Sequence, residues 1–382
     1  MRRREFLSGL SLLALSGCAR GRLTRTAKTG GDAGIQGLET LLQELMARFV
    51  VPGASVAVVQ DGHVAWSRAF GVRHSLSKEP VDNETLFEAA SVSKTVFAYA
   101  ALKQCEKGVI GLDVPLTRYT PTRFVEGDAR LDQITPRLVL SHSTGFAEWR
   151  SSDGPMIRRD PGSGFEYSGE GYFYLQSVLT HLLGKVDRSQ CAKYEADFEV
   201  CATDFHDFMK ARVLAPFGMR GSGYVAGARW EQRIAHGHDT SGKAFTKTKP
   251  RGSDVARYGA VGGLNTTAAE YAKFLAEVVA PKSADEFRLS AGMLREMARP
   301  HIQLPKDGQI DGCNAWALGW GVQERPNGNM LVHSGGQSGF RSLALASIDR
   351  RSGFIILTNS DNGGHVIYHP DVLRLADKLV MG

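Results

Sequence analysis

The chain predicts an α+β fold: one antiparallel sheet built from both ends of the sequence, flanked by helices, with a mainly helical subdomain between. Strand-like runs near the N-terminus, GASVAVVQ and HVAWSRAFGV, are the first observation. Strand-like runs near the C-terminus, WALGWGVQE, NMLVHSG, RSLALASID and GFIILTNS, separated by Gly, Asn and Asp turns, are the second. The third is the dominance of helical patterns from about 112 to 250. At 382 residues, 42% hydrophobic and 23% charged, the chain can bury a sizeable core. No repeat is visible, and no Lys/Arg run is interleaved with aromatics, so a nucleic-acid partner is not expected.

Residues 1–17 lie outside that fold. RRREFLSGLSLLALSGC has an Arg cluster, an apolar stretch too short to span a bilayer and then small residues, the layout of an export signal. Arg3, Arg4, Phe6 and Leu7 resemble a twin-arginine signal, and Leu15 to Cys18 resemble a lipobox in which Cys18 is lipidated. The expected product is a periplasmic lipoprotein held to a membrane by its lipid. Residues 18–37 are polar and Gly-rich and read as a flexible tether, which leaves 38–382 as the folded domain. Export makes Cys191 and Cys201, on either side of AKYEADFEV, a candidate disulfide. Cys105 sits in an apolar helix and reads as core packing.

Within the domain, Asp61 and Gly62 join the first two strands as a hairpin. VSKTVFAYAALKQCE is apolar nearly all round, which predicts a helix buried inside the protein and ended by Gly108. LVLSH, GYFYLQSVLTHLLG and HDFMKARVLAPFG read as helices of the inserted part, and GGLNTTAAEYAKFLAEVVA as a helix with a Thr-rich start. VLRLADKLV closes the chain as a final helix.

Two Ser-x-x-Lys pairs occur. Ser75 and Lys78 fall in HSLSKEP, a turn-rich stretch ended by Pro80, and are expected to point into water. Ser91 and Lys94 head the buried helix, where residues three apart share a face. There the free N–H groups and dipole favour a developing oxyanion, while burial and the same positive end push the amine toward its neutral form. A neutral amine can take a serine proton. The plainer alternative makes Ser91 an N-cap and Lys94 a solvated side chain. His236, His238 and Asp239 in IAHGHDT form a ligand-like cluster, but neither His142 nor His365 and His369 offers matching spacing. Two solvated histidines on a strand are the plainer reading.

From about Ile35 to the C-terminus the chain resembles the serine β-lactamase and penicillin-binding peptidase superfamily, closest to its class C-like branch and the related esterases. Ser91 to Lys94 match the family's Ser-x-x-Lys, Tyr167 and Ser168 the start of its Tyr-x-Asn, and His333, Ser334 and Gly335 its Lys- or His-led triplet. ITPRLVLSHSTGF, VLAPFGM and AVGGLNTTAAEYAKF resemble further family segments in the same order. The resemblance implies a β-lactamase/transpeptidase-like fold and a serine hydrolase that forms an acyl-enzyme. Its substrate would be an ester, an amide, a β-lactam or a D-Ala-D-Ala-like peptide, small or peptidoglycan-like, taken by a monomer with no metal or organic cofactor. By resemblance Ser91, Lys94 and Tyr167 are catalytic, and Ser91 and Gly336 form the oxyanion hole. His333, Ser334 and Gly335 bind substrate on an edge strand, with His333 as a weak, pH-dependent positive group reaching toward Tyr167 or a substrate carboxylate. Gly169 replaces the family's Asn and puts acylamino recognition in doubt. The alternative is a non-catalytic penicillin- or peptidoglycan-binding lipoprotein.

Overall fold

A computed structural model describes residues 30–121, 123–184, 198–225, 230, 232–245 and 258–382. The first element is helix α1 (Gly30–Arg48), so residues 30–37, expected in the tether, are helical instead. Ile35, Leu38, Leu42 and Leu45 recur at helical spacing, and Ile35 already packs on the apolar cluster that Leu38 and Leu42 enter. The glycines around this stretch mask the start of that stripe. Cys18 and Cys191 lie outside the described residues, and for Cys201 only the backbone is described, so the proposed pairing lies outside them too.

Strands β1 (Gly53–Gln60) and β2 (His63–Gly71) form the expected hairpin. Asp61 and Gly62 carry it at φ 51° and 76°, as a two-residue turn matched to strand twist requires. A two-stranded ribbon pairs β3 (Phe87–Glu88) with β4 (Asn265–Thr266). The C-terminal strands are β5 (Ile302–Gln303), β6 (Ala315–Trp316), β7 (Gly321–Gln323), β8 (Met330–Gln337), β9 (Phe340–Ser347) and β10 (Ser352–Thr358). With the first hairpin they make one sheet in the order β2-β1-β10-β9-β8-β7-β6-β5, antiparallel throughout. WALGWGVQE, expected as a single strand, folds back on itself as β6 and β7.

The helices after α1 are α2 (Ser93–Glu106), α3 (Pro136–Leu140), α4 (Gly169–Leu183), α5 (Phe198–Met209), α6 (Ala268–Val279), α7 (Ala291–Ala298), α8 (Gly363–Ile367) and α9 (Pro370–Met381). Strand alternation sorts them onto two faces. Val56 and Val58 of β1 join Leu343, Leu345, Phe354 and Ile356 beneath α1 and α9. Ala57 and Val59 point the other way and join Ala344, Ala346, Ile355 and Leu357 against α6 and α2. Helix α2 is buried from Ser93 to Gln104, as its all-round apolar sequence predicts, because the sheet covers one side and the helical insertion the other. The Ser91–Lys94 pair is therefore planted between the two halves of the protein.

Leu42 is 0% exposed in the α1 seam. Leu42→Ala is expected to lower the unfolding free energy by about 2–5 kcal/mol in urea titrations. A loss below about 0.5 kcal/mol would mean that α1 is not part of the cooperative unit.

Candidate active site

Ser91 lies not in the first turn of α2 but in the 3-10 turn Ala90–Val92 that leads into it. Ala90 holds φ at 48°, a left-handed conformation that costs a residue with a Cβ about 1–3 kcal/mol and persists only where neighbours enforce it. Here they do. The Ala89 N–H donates to Leu264 O at 2.8 Å, and the Ala89 carbonyl accepts from Ser342 Oγ at 2.7 Å. Ser93 Oγ donates to Ala90 O at 2.6 Å and accepts from the Leu264 N–H at 3.0 Å. The turn carries no side-chain cap, so Ser91 is not serving as an N-cap. Its Oγ accepts instead from Lys94 Nζ at 3.1 Å.

Lys94 is 1% exposed and donates its second hydrogen bond to Val261 O at 2.7 Å. Burial pulls its pKa down to about 7, with the Glu148 carboxylate opposing weakly. A large share of the amine is thus neutral near pH 7. Its nitrogen lies 4.9 Å from the centre of the Tyr167 ring and 5.7 Å from that of Tyr172. The Tyr167 hydroxyl feels the Ser91 side chain, which draws its pKa down, but burial is the larger effect and keeps it protonated well above the usual phenol range. Tyr167 is held there because Ser168 caps α4 through Gly171 N–H at 3.1 Å, while the Ser168 N–H donates to His142 Nδ1 at 3.0 Å. The His142 ring lies 4.2 Å from that of Tyr167.

His333 departs from its expected role. It is 2% exposed, and burial, then the nearby Lys94, pull its pKa down to about 3, so it is neutral across the physiological range. Nδ1–H donates to Ser334 O at 2.7 Å, and the ring packs 6.2 Å from Tyr167 and 5.6 Å from Trp316. Nε2 has no hydrogen-bond partner among the described residues. His333 is a buried, uncharged wall and not a weak cation.

Strand β8 is also not an edge strand, since β9 and β7 flank it. Strand β7 pairs only with Met330 to Val332, however, and the rest of β8 runs on alongside the Ser91 turn. At Gly335 a Cβ would come within 2.9 Å of Ser91 N, 2.7 Å of Ala89 O and 2.4 Å of Ser342 Oγ, so only glycine lets the backbone come this close. Gly336 follows it, exposed at the surface of the site. The Ser334 side chain lies beside Tyr368, whose hydroxyl donates to Asp311 Oδ1 at 3.0 Å.

The rival constellations resolve into structure. Ser75 does not point into water: its Oγ accepts from the Ala244 N–H at 3.2 Å and its N–H donates to His238 Nε2 at 3.0 Å. His238, expected to be solvated, is 0% exposed and uses Nδ1 to donate to Asn359 O at 2.8 Å. Both its nitrogens are spent locally, and Asp239 caps a turn through Ser241 and Lys243. Among the described residues no three His, Cys, Asp or Glu side chains converge as a metal site. Val261, Glu148, Trp149 and Trp316 border the site, yet no spacing singles them out in the sequence. Val261 falls in AVGGLN and Trp316 in WALGWGVQE, while Glu148 and Trp149 fall in no motif.

A family model described as Beta-lactamase matches residues 38–378. Penicillin-binding protein 4* of Bacillus subtilis (strain 168) is 23% identical over 378 residues, 90% of this chain and 76% of the relative. Esterase EstB of Burkholderia gladioli is 30% identical over 115 residues, 29% of either chain. Among solved structures, a Beta-Lactamase/D-Alanine Carboxypeptidase from Pseudomonas syringae has a TM-score of 0.72 at 16% identity, over 91% of this chain and 98% of that one. The D-amino acid amidase from Ochrobactrum anthropi SV3 has a TM-score of 0.67 at 20% identity, over 91% and 97%. These likenesses establish the β-lactamase/transpeptidase-like fold.

Gly335→Ala is expected to push β8 off the Ser91 turn and to slow hydrolysis of p-nitrophenyl acetate by about 10²-fold, as a displacement near 1 Å does elsewhere. An unchanged rate in the variant would mean that this close approach is not part of the site.

Proposed function

This chain belongs to the Beta-lactamase family of serine hydrolases, and on that footing we propose that it opens its substrate through an acyl-enzyme on Ser91. The observation behind this reading is a neutralised lysine amine, with pKa about 7, placed 3.1 Å from a serine hydroxyl. As Oγ attacks the carbonyl carbon, Lys94 takes its proton. Tyr167, protonated beside Ser91, gives its proton to the departing oxygen or nitrogen as the bond to the acyl carbon breaks, and takes the proton held by Lys94 in return. The N–H groups of Ser91 and Gly336 are the proposed donors to the oxyanion, each worth about 3 kcal/mol in such sites. Water then attacks the acyl carbon, its proton passing by way of Lys94 and Tyr167 to Ser91 Oγ as the C–Oγ bond breaks, and the acid leaves with Ser91 restored.

Of the bonds the family opens, we place esters and simple amides first, because His333 is neutral and cannot offer a positive charge to a substrate carboxylate. For the cellular setting we infer export by residues 1–17 and a lipid on Cys18. Support comes from the sequence of that segment, which lies outside the described residues.

Rapid-quench mass analysis with p-nitrophenyl acetate is expected to find a transient acetyl group on Ser91, absent in Ser91→Ala and retained in Ser75→Ala. Product without an adduct would overturn the covalent route, and a folded protein giving neither would be a binding protein. Lys94 acts as a base only when neutral, so kcat/KM should climb about tenfold per pH unit below pH 7 and level off above it. A profile flat from pH 5 to 8 would remove Lys94 as the base. Cys18→Ser is expected to shift the protein from the membrane fraction to the soluble one, and a variant that stays with the membrane would refute the anchor.

A further inference from the structure

The acyl-enzyme reading leaves open which acyl group the site takes, and position 169 bears on that question. Family resemblance puts an amide-bearing side chain there, but the space is not simply vacated. A Cβ built on Gly169 would lie 3.0 Å from both Cη2 and Cζ3 of Trp149 and 3.1 Å from Cγ1 of Val261. The indole of Trp149 stands where that side chain would begin. Val261 is the residue whose carbonyl holds Lys94 Nζ at 2.7 Å, so this wall lies one residue from the base.

Trp149 is fixed from both sides along the chain. The carbonyl of Glu148, just before it, accepts from the Gly169 N–H at 2.9 Å and the Glu170 N–H at 3.3 Å. Arg150, just after it, donates its N–H to Glu170 Oε1 at 3.0 Å and grips the same carboxylate with Nη2 at 2.9 Å from Oε2. Glu170 is 1% exposed, so a buried ion pair ties the Trp149 segment to the first turn of α4. On its far side the indole meets Tyr258 edge to face at 5.7 Å, and Tyr258 lies 5.5 Å from Phe173. Even so, Trp149 remains 48% exposed. A large apolar ring anchored this firmly and still half open to solvent is a surface kept for contact.

We propose that Trp149 walls the acyl side of the site in place of an amide-holding residue, and that the substrates are esters of apolar acyl groups, aliphatic or arylacetyl, in preference to acylamino acids. This rests on the acyl-enzyme reading above. An indole face gains by covering methylene or phenyl surface and has no partner for an amide carbonyl, which would lose its hydration without compensation. The indole N–H is a donor, but it lies on the five-membered ring, whereas Cη2 and Cζ3 of the six-membered ring are the atoms that meet Gly169.

The test uses the full-length protein and four p-nitrophenyl esters with one leaving group: acetate, hexanoate, phenylacetate and N-acetylglycinate. Wild type is expected to favour hexanoate and phenylacetate over N-acetylglycinate in kcat/KM. In Trp149→Ala the hexanoate-to-acetate and phenylacetate-to-acetate ratios should each fall about tenfold, and in Trp149→Phe they should largely recover. Each ratio comes from a single preparation and so does not depend on the fraction folded. Unchanged ratios in Trp149→Ala, or a wild type that prefers N-acetylglycinate, would overturn the proposal while the acyl-enzyme reading stands. Acetate hydrolysis that survives Ser91→Ala would instead remove the acyl-enzyme reading, and the proposal with it.

Discussion

An amine that is to act as a base near neutral pH has to be kept dry, and much of this protein follows from that single requirement. Lys94 is enclosed because α2 is sandwiched between the sheet and the helical insertion, and a helix in that position must be apolar all round. The same dryness governs its neighbours. Tyr167 keeps its proton, while His142 and His333 lose theirs, and burial is the largest cause in each case. One environment therefore keeps Tyr167, His142 and His333 uncharged and leaves Lys94 divided between its neutral and charged forms near pH 7. Where charge does develop, the low dielectric strengthens each hydrogen bond that receives it.

This neutrality also sets the site apart from one in which a lysine stood at position 333. A buried imidazole is shaped much like the rest of the aromatic surround of Tyr167, which includes Trp316 and His142. On the proposed reading, recognition there would rest on shape and not on charge, as at the indole beside Gly169.

Much of this was legible in the sequence. Short apolar runs bounded by turn residues mark strands such as β1 and β10, Asp61-Gly62 marks the hairpin, and the all-round apolar character of α2 distinguishes Ser91–Lys94 from Ser75–Lys78. What stayed hidden depends on who covers whom. The charge state of His333 is decided by elements far away in the chain, and no local pattern reports desolvation. The position of β8 inside the sheet depends on a three-residue partner, β7, too short to show a period. Trp149 carries no signal at all, because its importance lies in the absence of a side chain at Gly169, twenty residues later. The onset of α1 was obscured by glycines that composition assigns to a linker.

The pairing of β1 with β10 has a consequence for the life of the chain before it is an enzyme. Ala54 must find Thr358, and Val56 must find Ile356, so the centre of the sheet is closed by residues from opposite ends of the sequence. Such contacts form late, after the entropy of a long loop has been met. The Ser91 turn is steadied by Ser342 of β9, which bonds to Ala89 across a separation of 253 residues. A chain lacking β9 and β10 would thus carry Ser91 without that support and Lys94 without its shelter from water. On the proposed reading, reactivity at Ser91 would depend on the sheet being complete.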